Sequence, residues 1–207
     1  MVYVATANNR LIRFDVSKIN TDTPISSKDN IDIQTVYDGA TVICFYIGKY
    51  SVTVLTATGI DRIDKKSLAR QRLHYQDFEG LNLVQVAGTD KLVFACDQTD
   101  GVYMFYAGQS SLRLVSKAKS CSLVSANCRS MLVGQIKDVH FVAVAKEDET
   151  GVAIYVPLGR QLHFVTDKSV PSNGPSNGIL GMTCDKKHSK LILSFEFGRS
   201  NILTLKL

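Results

Sequence analysis

The chain has 207 residues, of which 45% are hydrophobic and 21% are charged, with four prolines and no tryptophan. This length predicts a single domain over residues 1–207, and this composition excludes disordered, collagen-like and disulfide-stapled chains. No run reaches the roughly eighteen apolar residues that a membrane-spanning helix needs. The opening residues, MVYVATANNR, hold no basic segment followed by an apolar one. We therefore expect no signal peptide and an intracellular protein, cytoplasmic or nuclear.

The charge balance and the cysteines narrow the choice of partners only slightly. Lysine and arginine number 24 against 19 acidic residues, which gives a formal net charge of +5. An excess of this size favours polyanions at low salt, but it is also common in proteins that never bind them. The five cysteines are an odd number scattered among apolar segments, as is typical of reduced core cysteines.

A repeated unit is the most informative feature of the sequence. Each copy consists of an apolar run, a short polar turn with Gly, Asn or Asp, and a second run, which is the pattern of a β-hairpin. The five copies begin at Val2, Val52, Leu92, Val142 and Leu191, at intervals of 40 to 50 residues. A period of this length predicts a repeat architecture built from one supersecondary unit.

Further strand-like runs lie between the hairpins. In the run after the third hairpin, Leu112 and Leu114 alternate with Arg113, and after the fourth hairpin Leu162 and Phe164 lie on one face. Alternation of this kind is typical of a strand with one face in solvent. The first strand of the later hairpins is apolar on both faces, which predicts a strand enclosed between packed sheets.

Four-stranded units of this length, with apolar inner strands and an amphipathic outer strand, are typical of β-propeller blades. In its strand rhythm the chain resembles the WD40-like β-propeller superfamily. Phe14-Asp15 and Ile63-Asp64 stand at the end of the third strand, where that family has Trp-Asp. The sequence departs from the family in having no tryptophan and neither of its Gly-His and Trp-Asp dipeptides. The resemblance implies an all-β fold of antiparallel blades.

The count of strands leaves the closure of the ring open. We name the strands of a blade A, B, C and D from the centre outward. The sequence predicts eighteen strands in five blades, in which the first blade lacks its A strand and the last blade lacks its D strand. Such a chain closes into a five-bladed ring, forms an incomplete propeller that another chain completes, or folds as a sandwich or irregular barrel.

Three segments interrupt this rhythm. The polar stretch 17–30 and the stretch 167–178, which contains Ser-Asn-Gly twice, are predicted to be loops. Residues 64–75 are compatible with a short helix, but their later half is assigned to a strand.

No catalytic, metal or cofactor site is predicted. The four histidines are far apart, and the cysteine pair Cys121 and Cys128 has no second pair to complete a zinc site. Aspartates recur near the A strands and their turns, at Asp38, Asp90, Asp138 and Asp185, where turn formation explains them. We therefore expect a protein that is not an enzyme and needs no cofactor.

Two sets of residues are candidates for partner binding. The first set comprises the strand edges left unpaired in the end blades, namely Val2, Tyr3, Val4, Ile202, Leu203 and Leu205. The second set comprises basic residues in the blade turns, which would contact a polyanion if they shared a face, namely Lys65, Lys66, Arg70, Arg72, Lys186, Lys187 and Lys190.

These features favour a non-catalytic interaction scaffold, a subunit of a larger intracellular complex whose propeller is completed by a partner chain. The alternative is a nucleoprotein component whose basic turns bind the backbone of RNA or DNA. A sugar-binding propeller is disfavoured, because sugar rings are usually held by aromatic stacking and the chain has no tryptophan. No small-molecule substrate and no membrane insertion are expected.

Overall fold

The structure, a computed structural model, describes residues 1–18, 32–76, 78–98, 101–119, 128–136, 138–146, 151–169, 179–195 and 200–205. These residues form eighteen strands in five antiparallel sheets, with two short 3-10 helices at Val16–Lys18 and Phe78–Gly80. None of the helices in the described ranges has the length and apolar character needed to cross a membrane.

Each sheet is one blade, and each blade follows chain order. Blade 1 has three strands: β1 (Val2–Ala5), β2 (Arg10–Phe14) and β3 (Gln34–Asp38). Blade 2 has four: β4 (Val42–Ile47), β5 (Ser51–Thr56), β6 (Gly59–Asp64) and β7 (Arg70–Leu73). Blade 3 has four: β8 (Leu83–Gly88), β9 (Leu92–Asp97), β10 (Gly101–Ala107) and β11 (Leu112–Lys119).

Blades 4 and 5 continue the same order. Blade 4 has four strands: β12 (Cys128–Ile136), β13 (Val139–Lys146), β14 (Gly151–Leu158) and β15 (Gln161–Ser169). Blade 5 has three: β16 (Ile179–Asp185), β17 (Lys190–Phe195) and β18 (Ser200–Thr204). The A strands β4, β8, β12 and β16 contact one another in succession, as the innermost strands of a propeller do. The prediction of five blades with three-stranded end blades is confirmed.

The predictions for the three segments that interrupt the strand repeat agree with the structure to different degrees. Residues 64–75 form a turn followed by β7, as assigned, and no helix. The loop predicted from residue 167 is wrong at its start, because β15 extends to Ser169 in register with β14. The rest of that stretch, from residue 170, and most of the stretch 17–30 lie outside the described residues.

The outer strands bury less than their alternation suggests. Leu112 and Leu162 are buried, but Leu114 and Phe164, two residues further along, are exposed. Leu114 lines an open cleft with residues 74–76, which follow the end of β7 at Leu73. Further along β11, Ala118 is buried again.

Four hydrophobic clusters hold the blades together, and each lies between two successive blades. Leu11 and Val54 belong to the cluster between blades 1 and 2, and Leu55 and Phe105 to that between blades 2 and 3. Phe94 and Tyr155 are central to the third cluster. The fourth joins β12–β14 to β16 and β17, where Phe141, Leu191 and Leu193 are fully enclosed. In the described part of the chain, none of these clusters contains residues of both blade 5 and blade 1.

A buried carboxylate at Asp61 anchors the joint between blades 1 and 2. Asp61 Oδ2 accepts a hydrogen bond from Arg70 Nη2 at 2.9 Å. Arg72 Nε lies 2.8 Å from Asp61 Oδ1 as an ion pair, although its N–H is not aimed at that oxygen. The Arg70 guanidinium also stacks on the ring of Tyr37 from blade 1, 4.5 Å from the ring centroid. Asp61 thus positions Arg70 against blade 1, while Arg72 stays within blade 2 and donates to the carbonyl of Thr58 at 2.8 Å.

The thiol of Cys44 lies at the contact between blades 2 and 3. Cys44 Sγ accepts a hydrogen bond from the backbone N–H of Val86 at 3.1 Å. Burial raises the pKa of the Cys44 thiol to about 12, because the thiolate loses its hydration there. Burial also raises the pKa of the neighbouring Tyr46 hydroxyl.

Asp61→Asn should destabilise the protein by about 2 kcal/mol or more, because it leaves two guanidinium groups beside a neutral amide. Asp38→Asn is the matched control, since its ion pair with Arg10 is exposed on both sides and should contribute at most about 1 kcal/mol. Urea unfolding of the three proteins measures both changes. Equal losses in the two variants would contradict a structural role for Asp61.

The free energy of unfolding should fall as the pH rises above about 9, where the unfolded thiol loses its proton while folded Cys44 keeps it. The slope per raised-pKa group approaches about 1.4 kcal/mol per pH unit. Cys44→Ala should flatten the first part of this decline, below the range in which tyrosines ionise. Urea unfolding from about pH 8 to about pH 10.5 tests this. Parallel curves for the two proteins would exclude the effect.

Candidate interaction surfaces

The inner edge of blade 1 is open along β1. In the described chain β1 pairs only with β2, with Val4 opposite Ile12. The side chains of Val2 and Val4 are 36% and 38% exposed, whereas Tyr3 packs onto the cluster between blades 1 and 2. Of the residues predicted for this edge, Val2 and Val4 are therefore partly exposed to solvent, whereas Tyr3 packs against the core between blades 1 and 2.

The hydrogen-bonding direction of β1 follows from its hairpin. Thr6 donates its N–H to the carbonyl of Arg10 at 2.8 Å. Antiparallel pairs alternate between bonded and non-bonded positions, so the N–H groups of Val2 and Val4 point to β2. Those of Tyr3 and Ala5 point away from the blade, toward the open edge.

The strand β18 is the outermost of blade 5 and pairs with β17. Leu205 donates its N–H to the carbonyl of Ser189 at 2.9 Å, so by the same alternation the N–H of Ile202 points away from β17. The Ile202 side chain is 54% exposed, and Leu203 packs against the cluster between blades 4 and 5. Leu205 is buried in that cluster, so its side chain belongs to the core and not to the edge.

The turns that join A to B and C to D strands all lie on one side of the molecule, which we call the AB–CD face. Exposed basic side chains stand on this face, namely Lys49, Lys66, Lys91, Arg160, Lys186 and Lys187. The described turns on the opposite side, which join B to C and D to A, contain no lysine or arginine. The turns therefore distribute their positive charge unevenly between the two faces.

Two aspartates on the AB–CD face accept hydrogen bonds from donors in their own turns. Asp64 Oδ1 accepts hydrogen bonds from the N–H of Lys66 at 2.9 Å and of Ser67 at 2.7 Å, and these bonds lower the pKa of Asp64. Asp185 Oδ2 lies 2.6 Å from His188 Nδ1, and this hydrogen bond lowers the pKa of Asp185. Because these carboxylates face their own turns, the lysines that follow them are directed outward.

Some of the predicted basic residues bind to groups of the protein itself, and others are exposed. Arg70 and Arg72 share the buried carboxylate of Asp61, and Lys65 Nζ donates to the carbonyl of Gly48 at 3.2 Å. Lys66 remains exposed in the turn after β6. Lys186 and Lys187 are exposed in the turn between β16 and β17, and Lys190 is half-buried at the start of β17. The exposed members thus lie on one face, in blades 2 and 5.

A cleft of 530 Å³ opens on the AB–CD face between blades 3 and 4. Its walls come from β9 and β10 on one side and from β12, β13 and β14 on the other. The cleft was not predicted from the sequence, because its walls combine five strands of two blades. The only local signal is the apolar Leu158, which immediately precedes the turn Gly159-Arg160.

The remaining polar groups form no reactive cluster. No group of three or more metal-ligating side chains occurs within the described ranges. The aspartates near the A strands have separate partners: Asp38 pairs with Arg10, Asp90 accepts from Ser51 Oγ at 2.9 Å, and Asp185 contacts His188. Each of these contacts is explained by local structure.

No protein-family model and no curated protein matches the sequence. Among solved structures, the β-propeller domain of Cps50 (Swd1) from Myceliophteria thermophila superposes with a TM-score of 0.65 and 10% identity, over 99% of this chain and 66% of that one. The C-terminal WD40 domain of Sif2 matches with a TM-score of 0.51 and 10% identity, over 99% of this chain and 54% of that one.

A further match is dihydro-heme d1 dehydrogenase NirN, with a TM-score of 0.56 and 11% identity, over 96% of this chain and 41% of that one. At identities this low, the likeness establishes the fold and not the function. The chain spans less than two thirds of the length of these proteins. It is an all-β, five-bladed propeller whose end blades have three strands each, and its fold is similar to that of the Swd1 propeller domain and of the Sif2 WD40 domain.

Proposed function

We propose that this protein is a non-catalytic interaction scaffold, a subunit of a larger intracellular complex, and that a partner chain completes its propeller. The observation that carries the proposal is the serial packing of the blades. Four clusters join five blades in a row, and β1, at the first end of the row, has no A strand beside it in the described chain. Unpaired edges of this kind are templates for strand addition.

The structural comparison supports an incomplete propeller. Nearly the whole chain superposes on 66% of the Swd1 propeller domain, so a third of that domain has no counterpart here. A chain that follows part of a larger propeller has the curvature of an arc, and its end blades then face a gap. A partner blade in that gap would cover both ends.

The proposed contact is strand addition at the edge of β1. The outward N–H groups of Tyr3 and Ala5 supply donors for a partner strand. The partly exposed residues Val2 and Val4 supply apolar area at the same place. Main-chain hydrogen bonds and apolar burial together depend little on salt, unlike contacts between lysines and a nucleic-acid backbone.

Proline at an outward position tests this proposal, because it removes an edge donor without removing a bond of the blade. Ala5→Pro should keep the far-ultraviolet circular dichroism and the cooperative melt of the parent chain. A tagged version, isolated from the native cells after cross-linking, should lose the partner that the parent chain cross-links near β1. The matched control variant Ala5→Ser keeps the N–H and should retain it.

The proposal fails if Ala5→Pro assembles like the parent chain. It also fails if cross-links map only to the AB–CD face and binding is lost steeply with added salt, which would favour the nucleic-acid alternative.

A further inference from the structure

The cleft between blades 3 and 4 is apolar within and charged at its rim. Its walls include Leu92, Phe94, Val133, Val139, Val156 and Pro157. Phe94 is buried in the cluster between these blades, so the base of the cleft is part of the core. A cleft of 530 Å³ with an apolar base falls within the size range of sites that take a small ligand or a few side chains.

Two apolar side chains at the mouth are exposed in the absence of a partner. Leu158 is 59% exposed in the last position of β14, and Tyr106 is 43% exposed near the end of β10. Isolated exposed leucines are common, but these two line the same cleft and continue its apolar base outward. A ligand seated here would remove both from water.

The charges around the cleft are predominantly positive. Lys91 lines one wall, and Arg160 follows Gly159 at the mouth of the other. His140 also lines the cleft, and Asp138 is an exposed acidic residue beside it. The face that carries the cleft also presents Lys49, Lys66, Lys186 and Lys187.

From this arrangement we infer that the cleft docks a short acidic segment of a partner protein, with an aromatic or aliphatic side chain of that segment inserted between blades 3 and 4. The apolar base holds the anchor side chain, and Lys91 and Arg160 attract the flanking carboxylates. The inference rests on the proposed scaffold function and adds a second contact, separate from the strand edges.

The chemistry of the cleft favours a peptide over a nucleic acid. Proteins that bind single strands stack bases on open aromatic faces. Tyr106 is the aromatic side chain at the mouth, and the Arg113 guanidinium lies over its ring, 5.7 Å from the centroid. The other apolar residues of the lining are aliphatic, apart from the buried Phe94, and such a lining suits an inserted side chain better than a stacked base.

The test uses a phage-displayed library of random short peptides, selected against the full chain and counter-selected against Leu158→Asp. Because Leu158 is exposed at a strand end, this variant should fold like the parent chain. Selected peptides should combine Asp or Glu with Phe, Leu or Ile. In fluorescence titrations their affinity should fall about tenfold or more with Leu158→Asp and about threefold with Lys91→Glu.

Removing a negative charge from the cleft is a sharper control, because it should strengthen the binding of the peptides. Asp138→Asn removes a negative charge beside the cleft and should tighten the same peptides by about twofold to threefold at low salt. Lys186→Glu, on the same face but in blade 5, should change their affinity by less than Lys91→Glu does.

The inference is overturned if no acidic-apolar peptide is enriched, or if the enriched peptides bind Leu158→Asp and the parent chain equally. It is also overturned if a single-stranded oligonucleotide binds at the cleft and Leu158→Asp leaves that binding unchanged. If Ala5→Pro disrupts the complex in any of these cases, the scaffold function stands and only the cleft inference fails. If the peptides bind as expected but Ala5→Pro assembles normally, the partner-completed propeller fails instead.

Discussion

Every inner strand of this molecule depends on a neighbouring blade to cover it. The strands β1 and β5 both stand in position B of their blades, yet β5 is buried at all six positions and β1 is mostly exposed. The difference is that β5 pairs with an A strand and packs between two blades, whereas β1 has an A strand on neither side in the described chain. Burial of apolar sheet faces between successive blades is therefore the constraint from which the rest of the fold follows.

The same constraint separates two kinds of surface. At the first end of the blade series, the N–H groups of Tyr3 and Ala5 on β1 point away from the blade, so that this edge suits an extended chain. Blades 3 and 4 have four strands each, and the side chains between them leave a cleft, which suits an inserted side chain. The first surface would complete the propeller, and the second would recruit a separate segment to its AB–CD face. The aspartates that cap the turns of that face direct the following lysines outward.

Local patterns were sufficient to predict the blades. Turn residues and apolar alternation are encoded over a few neighbouring positions, so the hairpins, the eighteen strands and the two incomplete blades were predicted from the sequence. Features that depend on distant residues were not. Arg70 and Arg72 were predicted as possible contacts for a polyanion, because nothing local indicates that Asp61 lies beneath both. Leu205 was assigned to the strand edge, but its side chain packs into the cluster between blades 4 and 5. The cleft combines five strands and has almost no local signal.

Residue-resolved amide hydrogen exchange on the isolated chain tests the central claim most directly, because it reports which edges are paired. Light scattering on the same sample should give the 22.8 kDa of a monomer. The account predicts rapid exchange at Tyr3 and Ala5 and slow exchange at Val4, whose N–H group points into its blade. Protection of Tyr3 and Ala5 in the monomer would mean that blade 1 already pairs its inner edge, and it would contradict an open propeller.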